Sequence, residues 1–170
     1  MNIEKEHWFA LYVRMHHEKK TAEKLAQLGE TYYLPVQEVV RQWSDRKKKL
    51  TVVVIPMMIF VRCTDRRRIE LLNLLPSATG TLMDRATRKP AIIRDDEMKT
   101  FMFMLDYSED TVSFMESNFV PGECVEVVKG PLKGLVGELV EVDGKSQVVV
   151  RIDCLGCASI EMPIGYLKKR

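Results

Sequence analysis

Between Asp106 and Asn118 the hydrophobic pattern loses all period, and the chain on either side of that stretch obeys a different rule. Upstream, short apolar runs alternate with stretches of helical spacing; downstream there are only short strand-like segments cut by turn residues. The break reads as a linker, 106–118, between an N-terminal domain, 6–105, and a C-terminal domain, 119–170. A chain of 170 residues has room for two such small cores. With 46% hydrophobic and 29% charged residues it is neither disordered, collagen-like nor membrane-spanning.

In the first domain Trp8 to Arg14 is an apolar run rich in aromatic and branched residues, the pattern of a central strand covered on both faces. Glu18 to Leu28 changes period: Ala22, Leu25, Ala26 and Leu28 with Lys and Glu between them predict an amphipathic helix stopped by Gly29. Tyr32 to Leu34 is a short strand, and Val36–Trp43 and Leu50–Val54 are two arms around a polar tip, Ser44–Lys49. Ile55 to Val61 is a second buried-strand run, with Pro56 at its start because proline cannot donate to a ladder. Thr64 or Asp65 caps a helix to about Leu75, ended by Pro76 and Gly80. A short strand near Leu82 and extended Pro90–Ile93 precede a last helix capped by Asp95 or Asp96. There Met98, Phe101, Met102 and Leu105 form the apolar stripe, and Phe103 and Met104 either widen the buried face or make a contact patch, core being the safer assignment. The order predicts a ferredoxin-like α/β sandwich.

The second domain alternates Val125 and Val127 with polar neighbours, breaks at Gly130-Pro131 and Gly134, and resumes over Val136–Val142 and Val148–Ile152 across Asp143-Gly144, a strong hairpin signal. Five short strands and no helix predict a small SH3-like β-barrel, and the whole chain is of the α+β class.

Net charge is only +2, so location matters more than balance: 19 of the 26 Lys/Arg and 17 of the 24 Asp/Glu lie in the first 117 residues. Arg14 ends the first strand, and Lys20 and Lys24 stand four apart on the first helix, so these cations face one way. Arg46, Lys47 and Lys48, with Lys49 and Arg41, make the hairpin tip basic, either to contact phosphates or to stay solvated. Arg66, Arg67 and Arg68 at a helix start oppose the macrodipole, which invites either a functional contact or a solvated surface. Cys154 and Cys157 have the spacing of a metal knuckle or redox pair, but no second paired spacing accompanies them, so they read as packing. His16 and His17 are adjacent at a turn and point apart, so with His7 they make no metal cluster. No Ser/His/Asp set, phosphate loop or carboxylate pair stands out, so neither catalysis, cofactor nor metal is expected. Four cysteines and no charged-then-apolar leader over Met1–Phe9 imply a reducing cytoplasm.

Four segments, His7–Tyr12, Leu34–Val40, Pro56–Val61 and Lys89–Ile92, resemble in order the N-terminal domain of NusG-type elongation factors. Val125–Gly137, with Gly130, Pro131, Gly134 and Gly137, resembles the KOW motif that follows it there. The Trp43-Ser44-Asp45-Arg46 stretch is similar to the specialised UpxY-type antiterminators of capsular polysaccharide operons. Met57, where the family usually has Gly or Asn, and Thr81, often aromatic, depart from the pattern.

The resemblance implies a monomeric, non-catalytic factor that binds the RNA polymerase clamp helices through Tyr12, Met58 and Phe60, with Ile92 or Ile93 nearby. It also implies that the face of Arg14, Lys20 and Lys24 contacts non-template DNA to promote elongation and antitermination on chosen operons. The KOW domain would recruit a small-subunit ribosomal protein or a termination factor. The competing readings are a general housekeeping factor and, from another class, a ribosome-associated RNA-binding KOW protein.

Overall fold

The computed structural model describes residues 4–115 and 122–170, so the boundary proposed at 118/119 lies outside the described residues. Chain contacts gather residues up to 35 with 55–95 into one compact unit, and 36–54 with 96–170 into another.

The first unit contains β1 (His7–Val13), α1 (Glu18–Gln27), β2 (Thr31–Tyr33), β5 (Met58–Cys63), α2 (Asp65–Leu74) and β6 (Ala78–Thr81). Its sheet has the order β2-β5-β1-β6, and every neighbouring pair is antiparallel. Each helix therefore carries the chain across one intervening strand, α1 from β1 to β2 and α2 from β5 to β6. Side chains alternate along a strand, so Phe9, Leu11 and Val13 of β1 share a face with Ile59, Val61 and Cys63 of β5. That face packs with Ala22 and Leu25 of α1 and with Leu71 and Leu75 at the end of α2. Burial pushes the Cys63 thiol up to about 11, so it stays protonated and inert.

Local signals act as the sequence requires. Gly29 takes φ +73°, its N–H reaching the Ala26 carbonyl and the Glu30 N–H that of Leu25, a Schellman stop for α1. Thr64 caps α2 by accepting from the Arg67 N–H at 3.2 Å. The adjoining arginines are held inside the unit. Arg67 donates to Glu30 at 2.7 and 2.8 Å and to Glu70 at 2.8 Å. Arg68 is 7% exposed, pairs with Asp65 at 2.9 Å, donates to the Thr81 hydroxyl at 3.0 Å and lies 5.5 Å over the Phe9 ring. A hydroxyl rather than an aromatic ring at position 81 thus serves a buried guanidinium. Only Arg66 remains mostly solvated, with Glu70 at 3.5 Å.

Met57 stands in the turn before β5 with φ +61°, a region costly for a residue with a side chain. It is pinned there: its N–H donates to the buried Glu18 carboxylate at 2.8 Å and its carbonyl accepts from Val13 at 2.9 Å.

The second unit contains the hairpin β3 (Val36–Gln42) and β4 (Lys47–Val53), the helix α3 (Asp95–Tyr107, from Asp96 on), and β7 (Ser113–Met115), β8 (Glu123–Val127), β9 (Val136–Val142), β10 (Lys145–Ile152), β11 (Gly156–Glu161) and β12 (Leu167–Lys169). The last six strands form one antiparallel sheet in the order β12-β8-β9-β10-β11-β7. Five were expected; the sixth, β7, lies in the stretch read as a linker, which also holds the end of α3. That stretch is tied down: Gln37 donates to the Asp110 carbonyl at 2.7 Å and accepts from the Val112 N–H at 2.9 Å. A 3-10 turn, Ile164–Tyr166, interrupts a segment expected to have no helix. In α3, Met98, Phe101 and Leu105 of the stripe are buried and Met104 joins them, whereas Met102, expected in the stripe, is only partly buried, and Phe103 is partly exposed and packs on Tyr107 with ring centres 4.9 Å apart.

The glycines of the β8–β9 connection have physical tasks. Gly134 sits at φ +93° and donates to the Val127 carbonyl at 2.8 Å, closing the turn. At Gly137 any Cβ would lie 2.7 Å from the Val149 carbonyl oxygen, so β9 and β10 can approach only there without a side chain. Asp143 and Gly144, both at positive φ, form the tight turn into β10.

Across that hairpin Arg151 grips Glu138 with two donors at 2.6 and 3.0 Å, and the Gly122 N–H adds a third at 3.0 Å. The Arg151 bonds chiefly, against opposing desolvation and with help from Gly122, hold the Glu138 carboxyl below its ordinary value.

Two predictions follow from this packing. Arg68→Ala removes the donors to Asp65 and Thr81 and should lower stability by about 2 kcal/mol in urea unfolding, with Arg66→Ala changing it by less than about 0.5 kcal/mol. A folded-state carboxyl pKa below the unfolded one contributes stability that is full above about 4.3 and disappears as pH falls through the lowered value. Glu138→Gln should therefore destabilise the protein at pH 7 and flatten the acid limb of its melting temperature against pH; an unchanged limb would assign acid sensitivity elsewhere.

Candidate polymerase and nucleic-acid interface

On the sheet face opposite the helices, β1 and β5 align Tyr12 with Met58 and Ala10 with Phe60. Three of the five expected polymerase contacts therefore adjoin one another. Their exposure differs: Tyr12 is 38% exposed, Met58 is buried and Phe60 is 0% exposed. The extended segment after β6 runs beside β1, where the Ile93 N–H donates to the Trp8 carbonyl at 3.0 Å. The bridge puts buried Ile93 on the face of Trp8 and Tyr12 and leaves Ile92, 51% exposed, on the other face of the sheet, in a cleft lined by His7, Phe9 and Asp65.

The cations of α1 converge as their spacing predicts. Arg14, Lys20 and Lys24 line one cleft of about 490 Å³ together with His17, Thr21, Gln27 and Ser77; Glu23 is the single carboxylate in its wall. The cleft has a built floor. Arg14 N–H donates to the Ser77 carbonyl at 2.9 Å, joining the end of β1 to the loop after α2. Buried Thr21 donates its hydroxyl to the His17 carbonyl at 2.8 Å and so accepts from the Ser77 hydroxyl at 2.7 Å. His17 Nδ1 donates to the Met15 carbonyl at 3.0 Å, leaving Nε2 as the acceptor of the neutral ring. The three cations supply the donors that phosphate oxygens accept, whereas the protons of both hydroxyls and of His17 Nδ1 are committed within the floor, so Ser77 Oγ and His17 Nε2 are left to accept from a base edge. Sequence spacing finds Arg14, Lys20 and Lys24; Ser77 has no local signal, because only the fold brings it 56 residues back to Thr21.

Arg46, Lys47 and Lys48 are all exposed on the β3–β4 hairpin. The hairpin is longer than its arms suggested. β4 begins at Lys47, pairing Gln42 with Lys47, Arg41 with Lys48 and Val40 with Lys49, so the turn shrinks to Trp43–Arg46. Cross-strand pairing, to which a run of lysines gives no propensity, carries the strand back through it.

Cys157 is buried in β11 and takes a weak bond from Arg151 at 3.6 Å, and Cys154 is half-buried in the preceding turn; neither is in a disulfide. Among the described residues no cluster of three or more His, Cys, Asp or Glu is placed to hold a metal, and no helix is long and apolar enough to cross a membrane.

The family described as NusG, transcription termination factor, matches residues 6–102. The chain belongs to the NusG family. Family members are transcription factors rather than enzymes, and this chain is not an enzyme. Similar curated NusG proteins, each named a transcription termination/antitermination protein, come from Streptococcus pyogenes serotype M3, 22% identical over 90% of this chain and 89% of the relative, and from Haemophilus influenzae, 25% identical over 98% and 96%. A solved structure titled for domain interaction in Thermotoga maritima NusG superposes with a TM-score of 0.54 at 18% identity, covering 97% of each chain. At that identity the likeness is one of fold.

Proposed function

We propose that this NusG-family protein is an operon-specific elongation and antitermination factor of polysaccharide operons, acting in the cytoplasm as a monomer. Residues 6–105 serve as the NGN-like polymerase-binding domain, with the ferredoxin-like strand order, and residues 119–170 as the KOW barrel. Tyr12, the exposed member of the set, meets the RNA polymerase clamp helices first, and Met58, Phe60 and Ile93, which share its face, complete the patch; Ile92 lies on the other face and is left outside it. Since Met58 and Phe60 are buried here, full docking needs a state in which that face opens, and apparent affinity falls with the scarcity of that state. The KOW barrel recruits a small-subunit ribosomal protein or a termination factor.

The observation that carries the reading is the α1 cleft, where Arg14, Lys20 and Lys24 gather about hydroxyls and an imidazole. A general factor needs only phosphate contact; polar groups fixed in one geometry add discrimination among bases of the non-template strand.

Lys20→Glu should weaken binding to single-stranded DNA at least about tenfold and reduce the slope of log affinity against log salt by about 0.7 or more, since one phosphate contact is lost. The variant should melt as the wild type does, because Lys20 is exposed. Fluorescence anisotropy across a salt series reads both; an unchanged affinity and slope would remove the cleft from the interface.

A further inference from the structure

Trp43 is the only aromatic residue of the β3–β4 hairpin and is 59% exposed. Its N–H donates to the Arg46 carbonyl at 2.8 Å, so Trp43 and Arg46 close the tip opposite one another. Because faces alternate along paired strands, the register puts Trp43, Arg46, Arg41 and Lys48 on one face. Arg41 and Lys48 are direct partners, and like charges set opposite each other destabilise a hairpin. The nearby carboxylates offer little relief. Asp45 meets Arg46 only at 3.8 Å, with both side chains largely in solvent, and Glu38 meets Lys49 at 4.0 Å on the other face. A hairpin that keeps an indole in water between facing cations is matched by a ligand that is both polyanionic and aromatic.

We propose that this face of the hairpin binds an unpaired DNA strand, Trp43 stacking on a base while Arg41, Arg46 and Lys48 take the flanking phosphates. Stacking beside a cationic groove is how proteins hold single strands without base-pair readout, and duplex DNA, whose bases stack on one another, offers the indole no face. The hairpin is fixed at its root by the two Gln37 bonds to Asp110 and Val112, so the tip is presented on an anchored ribbon. The inference rests on the reading of the protein as a DNA-contacting transcription factor, but uses residues separate from the α1 cleft.

The chain holds two tryptophans, and Trp8 is buried, so exposed indole emission reports on Trp43. The full chain is titrated with dT12, a 12-base-pair duplex and rU12, following tryptophan emission and the anisotropy of labelled oligonucleotide together. The expected result is quenching by dT12, lost in Trp43→Ala with about tenfold weaker binding, whereas Trp43→Phe keeps affinity within about threefold. Lys48→Ala should reduce the salt slope by about 0.7. The Lys20→Glu, Lys24→Glu double variant should bind more weakly yet quench as fully at saturation. Binding of dT12 without quenching, and unaltered in Trp43→Ala, overturns the hairpin proposal and leaves the cleft reading standing. Equal quenching by duplex, or tighter binding of rU12 than of dT12, also overturns it, and no binding by any probe removes both readings. Circular dichroism of each variant confirms that the fold is kept.

Discussion

The antiparallel pairing of β1 with β5 is the constraint on which the first unit depends. Six residue pairs from His7–Cys63 to Tyr12–Met58 set which side chains face the helices and which face away. A slip of β1 by one residue against β5 would turn Phe9 and Leu11 out of the helix-packed core and send Tyr12 inward, away from Met58 and Phe60. The core and the proposed docking face are thus two sides of one register.

The ends of that pair are locked by polar contacts rather than by packing. Glu18 opens α1, where a carboxylate suits the helix dipole, and it also holds the Met57 N–H while Val13 holds the Met57 carbonyl. The strained turn, the end of β1 and the start of α1 are therefore one assembly, and the cleft cations on the outer face of α1 inherit their position from it. At the far side of the sheet, Arg68 over Phe9 joins the start of α2 to β1 and, through Thr81, to β6. Arg67 and Arg68, which look misplaced beside a helix N-terminus, are structural ties.

Features written in short range were legible in the sequence. The apolar runs of β1 and β5, the Gly29 stop, the Thr64 cap and the Asp143-Gly144 turn each depend on neighbours within a few residues. What was not legible depends on distant partners. β7 is only three residues long and exists because β11 pairs with it some forty positions later. Lys47–Lys49 became strand by facing Val40–Gln42. Arg67 found Glu30 across 37 residues, and Ser77 reached the cleft only through the fold. Alternation showed correctly that Met58 and Phe60 share a face, but period two says nothing about whether that face is covered, and here it is. Trp43 passed as part of a resemblance, because exposure of an aromatic residue is not written in its neighbours.

The central claim is that the sheet face carrying Tyr12, with Met58, Phe60 and Ile93, is the docking surface for RNA polymerase. The direct measurement is calorimetric titration of the full chain with the isolated clamp-helix coiled coil, using Tyr12→Asp and, as a control on the opposite face, Ile92→Asp, both at exposed positions that leave the fold intact. The account predicts saturable binding by the wild type, its loss in Tyr12→Asp and its retention in Ile92→Asp, with melting unchanged in both. Absence of binding by the wild type, or equal binding by all three proteins, would contradict it.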